Sequence, residues 1–149
     1  MIASALPLQN LVERRFSRTV SVSTEIDAHL PSKGLPLSCL HEVKGSHLAC
    51  AIGFVSLLTA RIPASGGQII YVGSGRSFQP LGLLPYGLKP DMLVHVSVRG
   101  SQDLAWTVLE ALRCPRVTAV LAVLKAADLT LCRRFQLAAE SSGATGFLI

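Results

Sequence analysis

Apolar runs and polar breaks alternate along the chain from residue 39 to its end. Runs of apolar, often β-branched residues predict five strands, at 39–43, 68–73, 92–98, 117–124 and 144–149. Helical periodicity predicts helices at 47–61, 101–114 and 130–142, and three prolines limit 77–90 to a short helix or turn. Strands that alternate with helices are typical of right-handed βαβ crossovers. The pattern therefore predicts an α/β fold with a parallel five-stranded sheet flanked by helices.

The helix ends and the distribution of apolar residues make this prediction more specific. Helix 47–61 is apolar nearly all round, so we expect both of its sides to be covered. Ser101 is the predicted N-cap of the next helix, and Gly143 is the predicted C-cap of the last one. The segment 29–37, which contains two prolines and a glycine, is predicted to be a loop.

Length and composition favour one soluble domain preceded by a short arm. The chain has 149 residues, 50% of them hydrophobic and 15% charged, and no apolar run reaches 18 residues. We expect residues 1–32 to form an N-terminal arm and residues 33–149 to form the domain. The N-terminus lacks the basic region of a signal peptide, which favours the cytoplasm. The four cysteines form no C-x-x-C motif and are predicted to be buried, reduced thiols.

The first strand leads into the turn where an α/β fold would bind a nucleotide. That segment reads EVKGSHLACAIG over residues 42–53. A P-loop, G-x-x-x-x-G-K-[ST], could begin at Gly45, but Cys50, Ala51 and Ile52 then occupy the positions of the second glycine, the lysine and the hydroxyl residue. The turn therefore lacks the groups that bind phosphate and magnesium.

Two further strand ends have lost the corresponding catalytic groups. The second strand could supply a general base at its end, but that end reads YVGSGRS and offers none. The fourth strand supplies no acid at its end, since the first one is Asp128 in the following turn. Phosphoryl transfer depends on these charges, so we predict a protein that is not an enzyme and has no cofactor or metal site.

Residues 33–149 resemble the RecA-like P-loop-NTPase-type core with its Walker motifs lost. This resemblance implies the sheet order 3-2-4-5-1, and it implies that the acidic pair of the family would fall on Gly73 and Gly75. The segments GLPLSCLHEV (34–43) and ADLTLCRRFQLAAESSGATGFLI (127–149) most resemble the degenerate ImuA-type branch, with the SulA-type cell-division inhibitors as close relatives. ImuA-type proteins usually continue beyond the fifth strand, where this chain ends, so contacts made by such a C-terminal segment would be missing here.

The ImuA resemblance implies a non-catalytic adaptor in SOS-induced translesion synthesis and mutagenesis. Its partners would be RecA and an ImuB-type homologue of the Y-family polymerases. The SulA resemblance implies an alternative, which is inhibition of cell division by binding FtsZ. A residual ATPase is the third and disfavoured hypothesis. The function is expected to lie at a protein surface, without membrane contact.

Three side chains are candidates for that surface. Trp106 lies at the margin of its helix stripe, and tryptophan is enriched at binding hot spots. Arg133 and Arg134 lie side by side in the last helix, and the chain carries a net charge of +5. A basic surface suits an acidic protein or the phosphates of DNA. The alternative for these residues is ordinary packing or a solvated surface, and self-association also stays open.

Overall fold

A computed structural model describes residues 18–63, 66–73, 80–124 and 126–149 of the chain. They belong to two compact units, one that ends at Leu37 and one that comprises Ser38–Ile149. None of the described helices is long and apolar enough to cross a bilayer.

The described part of the first unit contains more regular structure than a loop. Strands β1 (Thr19–Val20) and β2 (Leu35–Pro36) pair antiparallel, and the helical turn α1 (Thr24–Asp27) lies between them. The prediction of a loop over the whole of 29–37 is therefore wrong at β2. Gly34 allows the two strands to approach this closely, because a Cβ at position 34 would lie only 3.0 Å from the Cβ of Thr19.

The second unit is built on the predicted parallel sheet. Its strands, in chain order, are β3 (Leu40–Glu42), β4 (Gln68–Gly73), β5 (Leu93–Ser97), β6 (Val117–Ala122) and β7 (Thr145–Leu148). Every pairing is parallel, and the order across the sheet is β3-β7-β6-β4-β5. Counted within this sheet, the order is the predicted 3-2-4-5-1.

Helices complete the layers above and below the sheet. They are α2 (Leu48–Arg61), α3 (Ser101–Arg113) and α4 (Leu129–Ser142), with 3₁₀ helices at Pro80–Tyr86 and Pro90–Met92. Successive strands are added toward one edge of the sheet from β3 to β5 and toward the other edge from β5 to β7. Right-handed crossovers therefore place α3 and α4 on one face, and α2 with the first 3₁₀ helix on the other.

The main core lies between the sheet and the pair α3–α4. Alternate strand residues point into it, and they join buried leucines and a phenylalanine of the two helices; its largest members include Val72, Val120, Leu148, Leu104, Val108, Leu112 and Phe135. The intervening strand residues Ile69, Tyr71, Leu121 and Phe147 are also buried. Both faces of the three inner strands β4, β6 and β7 are therefore covered, as the continuous apolar runs predict, whereas the edge strand β5 is largely exposed.

The prediction that α2 is covered on both sides is wrong. One side is buried through Ala51, Val55 and Leu58, but Phe54 and Leu57 are exposed. Helical geometry spaces these two residues on one outward side of α2, and Cys50 lies exposed on the same side. The prediction of four buried thiols is confirmed at Cys39 alone, since Cys114 and Cys132 are half-buried and Cys50 is exposed. All four cysteines are free thiols.

The helix ends confirm one predicted cap and correct another. Gly143 ends α4 in the left-handed conformation, with φ 83°, and donates its N–H to the Ala139 carbonyl. The predicted N-cap Ser101 is instead the first residue of α3, and Gly100 precedes the helix with φ 94°. Asp128 caps α4, since its carboxylate accepts from the Leu131 N–H at 2.7 Å.

Replacing Gly143 with alanine should destabilise the protein by about 1 kcal/mol, because the Cβ of alanine makes the left-handed conformation unfavourable. Denaturant unfolding measures this cost. Gly82→Ala is the matched control, since Gly82 has neither a positive φ nor any atom within 4 Å of a Cβ at that position. Equal unfolding midpoints for the two variants would contradict the role assigned to Gly143.

Candidate functional site

A cleft of about 580 Å³ lies at the carboxyl ends of β3, β6 and β7. This is the edge where open α/β folds bind ligands. Its walls come from the turn after β3, the first turns of α2, the segment after β6 and the end of β7; they comprise Glu42, Val43, Lys44, Gly45, Leu48, Ala51, Leu124, Ala126, Ala127, Leu148 and Ile149. The fold thus keeps an opening at the predicted nucleotide position.

Two side chains of opposite charge in the described cleft walls, Lys44 and Glu42, neutralise each other. Lys44 Nζ lies 3.0 Å from Glu42 Oε1, and both side chains are largely exposed. A carboxylate at this distance cancels the charge that a phosphate would require, and the pair itself contributes little stability in water. The remaining described wall residues are apolar or glycine. Lys44 is therefore poorly suited to replace a P-loop lysine.

The turn into α2 has no phosphate-binding side chains where the sequence predicts their loss. Cys50 lies exposed in the first turn of the helix, and Ala51 is buried. His47 is the N-cap residue, but its side chain makes no capping hydrogen bond.

The other two strand ends agree with this description as far as they are described. Asp128 is the first acid after β6, and its carboxylate is already engaged in capping α4. Gly73 is the last residue of β4, whereas Gly75 lies outside the described residues. Nowhere in the described ranges do three His, Cys, Asp or Glu side chains form a group that could hold a metal ion.

A small polar cluster beside β3 has a structural role. The His41 ring stacks on Phe147 with centroids 5.4 Å apart, and His41 Nε2 lies 3.2 Å from Cys39 Sγ. Burial raises the pKa of the Cys39 thiol to about 11, and the nearby Glu140 carboxylate adds to the increase. Cys39 is therefore a neutral thiol at physiological pH, which makes it a poor nucleophile.

The three predicted partner-binding residues lie on the outer sides of α3 and α4. Trp106 is 65% exposed on α3, away from the helix stripe that faces the core. Arg133 and Arg134 are both exposed on α4. Within the described ranges, neither arginine forms an ion pair.

The structure adds an apolar residue that the sequence analysis did not single out. Leu137 is 54% exposed and follows Arg133 and Arg134 by four and three residues, which places all three on one side of α4. Its position outside the α4 core stripe was the available signal, because Leu131, Phe135 and Ala138 already mark the inward side. We call Trp106, Arg133, Arg134 and Leu137 the outer helix surface.

Comparisons with known proteins agree with the sequence analysis. No protein-family model matches the chain. It is 33% identical over 130 residues to proteins named ImuA from two strains of Caulobacter vibrioides, NA1000 / CB15N and ATCC 19089 / CB 15. The predicted resemblance to ImuA-type proteins is confirmed. The match includes 83% of this chain, which spans about half (53%) of the length of these ImuA relatives.

The fold is also similar to a solved structure, that of SulA from Pseudomonas aeruginosa. The TM-score is 0.63, and the match covers 74% of this chain and 95% of the SulA chain. Sequence identity is 16%, so this likeness concerns the fold alone. It supports the α/β fold described above.

We expect Cys39 to react with iodoacetamide at pH 8 at least about tenfold more slowly than Cys50, because thiolate is the reactive form and Cys39 is both buried and protonated. Peptide mass spectrometry over time measures both sites in one sample. Unfolding in urea should remove the difference. Equal rates in the folded protein would show that Cys39 is not held as described.

Proposed function

We propose that this protein is a non-catalytic adaptor in SOS-induced translesion synthesis, acting through protein–protein contacts. The similarity to ImuA supports the SOS assignment. The observation that carries the non-catalytic part is the cleft, where the exposed Lys44–Glu42 pair and apolar walls take the place of phosphate-binding groups. Phosphoryl transfer needs positioned charge at this point, and these residues do not provide it.

We further propose that the sheet is a degenerate RecA-like ATPase core. The strand order 3-2-4-5-1 and the cleft at the carboxyl ends of its strands support this origin. In such a protein the sheet is a scaffold, and its cleft is left over from a nucleotide site. Any remaining function then depends on what the outer sides of the helices present.

The outer helix surface is the proposed partner site. Helices α3 and α4 pack side by side, and Ser142 Oγ donates to the Leu112 carbonyl near their C-terminal ends. With a rise of about 1.5 Å per residue, Trp106 lies about 9 Å before Leu112, and Leu137 lies about 8 Å before Ser142. The two apolar side chains are therefore at similar heights on neighbouring helices.

This surface combines the side chains that protein interfaces favour. Trp106 exposes most of its apolar surface to water, so burying it against a partner would strengthen binding. Two arginines without described ion partners would add charge-assisted hydrogen bonds to carboxylates. The expected partner, either RecA or an ImuB-type polymerase homologue, would thus present an apolar pocket beside acidic residues.

Inhibition of FtsZ is the second candidate function. The observation that favours it is the extent of the structural match, since nearly the whole SulA chain is covered. The low identity leaves this candidate without support from particular residues. Both candidates predict a protein–protein contact, so the partner that binds decides between them.

A binding measurement with the purified chain tests the proposal. We expect it to bind RecA or the ImuB-type polymerase homologue, and we expect Trp106→Ala to weaken the complex by about tenfold or more, as for a hot-spot residue. Charge reversal of both arginines, R133E with R134E, should have an effect of similar size that decreases in high salt. Biosensor titration measures each dissociation constant.

Phe54→Ala is the matched control, since it removes an exposed aromatic side chain from α2 on the opposite face of the sheet. This variant should bind as the unmodified chain does. Absence of binding to both SOS proteins, together with inhibition of FtsZ GTPase activity, would replace the proposal with the SulA-like candidate. Equal weakening by Phe54→Ala would reject the outer helix surface as the site.

A further inference from the structure

Helix α4 begins with a leucine that is almost fully exposed. Leu129 is the first residue of α4, and its side chain is 89% exposed, more than any other large apolar side chain in the described ranges. Arg133 and Leu137 follow it at intervals of four residues, so the three side chains lie along one side of the helix. The apolar exposure therefore continues from the outer helix surface to the start of α4.

Leu129 and the outer helix surface form a triangle of apolar side chains around two charges. With a rise of about 1.5 Å per residue, Leu129 and Leu137 are about 12 Å apart along α4, and Arg133 and Arg134 lie between them. Trp106 is at about the height of Leu137, on a neighbouring helix whose axis is about 8–10 Å away. An occupant that covers the triangle must therefore repeat its apolar groups at about 12 Å along one side.

The charge available to a partner at this surface is positive. On the outward side of α3, Glu110 Oε1 accepts from Arg113 Nη1 at 2.8 Å, and Asp103 lies in the first turn, where it complements the helix dipole. On α4, Arg133 and Arg134 are exposed, and neither forms an ion pair within the described residues. A partner must therefore place carboxylates between its apolar groups.

Two other occupants match this surface less well. A second copy of the chain would oppose arginine with arginine, which is repulsive. The phosphates of DNA would pair with the arginines, but a phosphate backbone has no apolar surface to cover Leu129, Leu137 and Trp106. The combination of apolar and basic side chains thus favours an acidic protein segment with apolar side chains of its own.

The main chain of α3 and α4 decides the conformation of that segment. Main-chain N–H and C=O groups inside a helix bond to one another, so the sides of the two helices offer none to a partner. An extended peptide at this surface would leave its own main-chain groups without protein partners. A helix satisfies its own groups, and its residues seven or eight apart repeat on one side at about 11–12 Å.

We infer that the outer helix surface, together with Leu129, binds an acidic amphipathic helix of the partner. The apolar side of that helix covers Leu129 and Leu137, and the space between its apolar side chains receives Trp106. Glutamate or aspartate side chains on its flanks accept hydrogen bonds from Arg133 and Arg134. This inference rests on the proposed function for the position of the partner site, and it adds the class of segment that binds there.

Trp106 is the only tryptophan in the chain, so its fluorescence reports contact with this surface directly. The probe is a synthetic peptide of about 20 residues without tryptophan, with leucines at helical i, i+4, i+7 and i+11 positions and glutamates beside them. Titration into the full chain should move the Trp106 emission to shorter wavelength until it saturates. A peptide with lysine in place of every glutamate should cause no shift, because it repels the arginines.

Substitution of Leu129 tests the extent of the surface. Leu129→Gln should weaken binding of the glutamate peptide by about tenfold, and the position is too exposed for the fold to depend on it. Leu81→Gln is the matched control, since Leu81 is a 68% exposed leucine of the first 3₁₀ helix, on the opposite face of the sheet. This control should bind as the unmodified chain does.

Three results would overturn the inference. They are the absence of a shift at about 1 mM glutamate peptide, equal responses to the glutamate and lysine peptides, and equal effects of the two glutamine substitutions. A DNA duplex titrated in parallel should leave the emission unchanged. A shift caused by the duplex and not by the glutamate peptide would assign the surface to nucleic acid instead.

Competition separates this inference from the proposed function. The glutamate peptide should displace RecA or the ImuB-type polymerase homologue from the chain. A complex with either protein that persists at saturating peptide would overturn the inference and leave the proposed function standing. Peptide binding that responds to Leu129→Gln, without binding of either SOS protein, would support the inference and reject the proposed function.

Discussion

The rest of the structure depends on covering both faces of a parallel sheet. The two central strands, β6 and β4, are buried on both sides, and Val120, Leu121 and Ala122 expose almost no surface. A strand of this kind is stable only between two layers. Helices α3 and α4 supply one layer, and α2 with the neighbouring 3₁₀ helix supplies the other. The cleft and the outer helix surface both follow from this arrangement.

This arrangement does not depend on groups that bind a nucleotide. The apolar packing of β3, α2 and β7 does not require a P-loop lysine or an acid after β6. In this chain, Lys44 is paired with Glu42, and Asp128 caps a helix. These described charged groups near the cleft are thus already paired or engaged in a helix cap. The outer sides of α3 and α4 have no such structural use, and the proposed partner contacts lie there.

The sequence predicted the sheet well because its signals are local and repeated. Apolar β-branched runs mark buried strands, and the resemblance supplied their order. The sequence-based prediction failed where packing against the rest of the fold decides which residues are buried and where a helix begins. Phe54 and Leu57 belong to an apolar helix, but the sheet can cover only one side of it. Ser101 is a good capping residue, yet Gly100, with its positive φ, takes the N-cap position, and Ser101 becomes the first residue of the helix. Leu137 escaped notice because a leucine in a helix usually faces the core.

The central claim is that partners bind the outer helix surface while the cleft stays empty of nucleotide. Amide hydrogen exchange of the full chain tests both parts, with the ImuB-type polymerase homologue added in one sample and Mg-ATP in another. The account predicts slower exchange in Ser101–Arg113 and Leu129–Ser142 with the partner, and no change at residues 42–51 with Mg-ATP. Protection of 42–51 by Mg-ATP, with both helices unaffected by the partner, would contradict it.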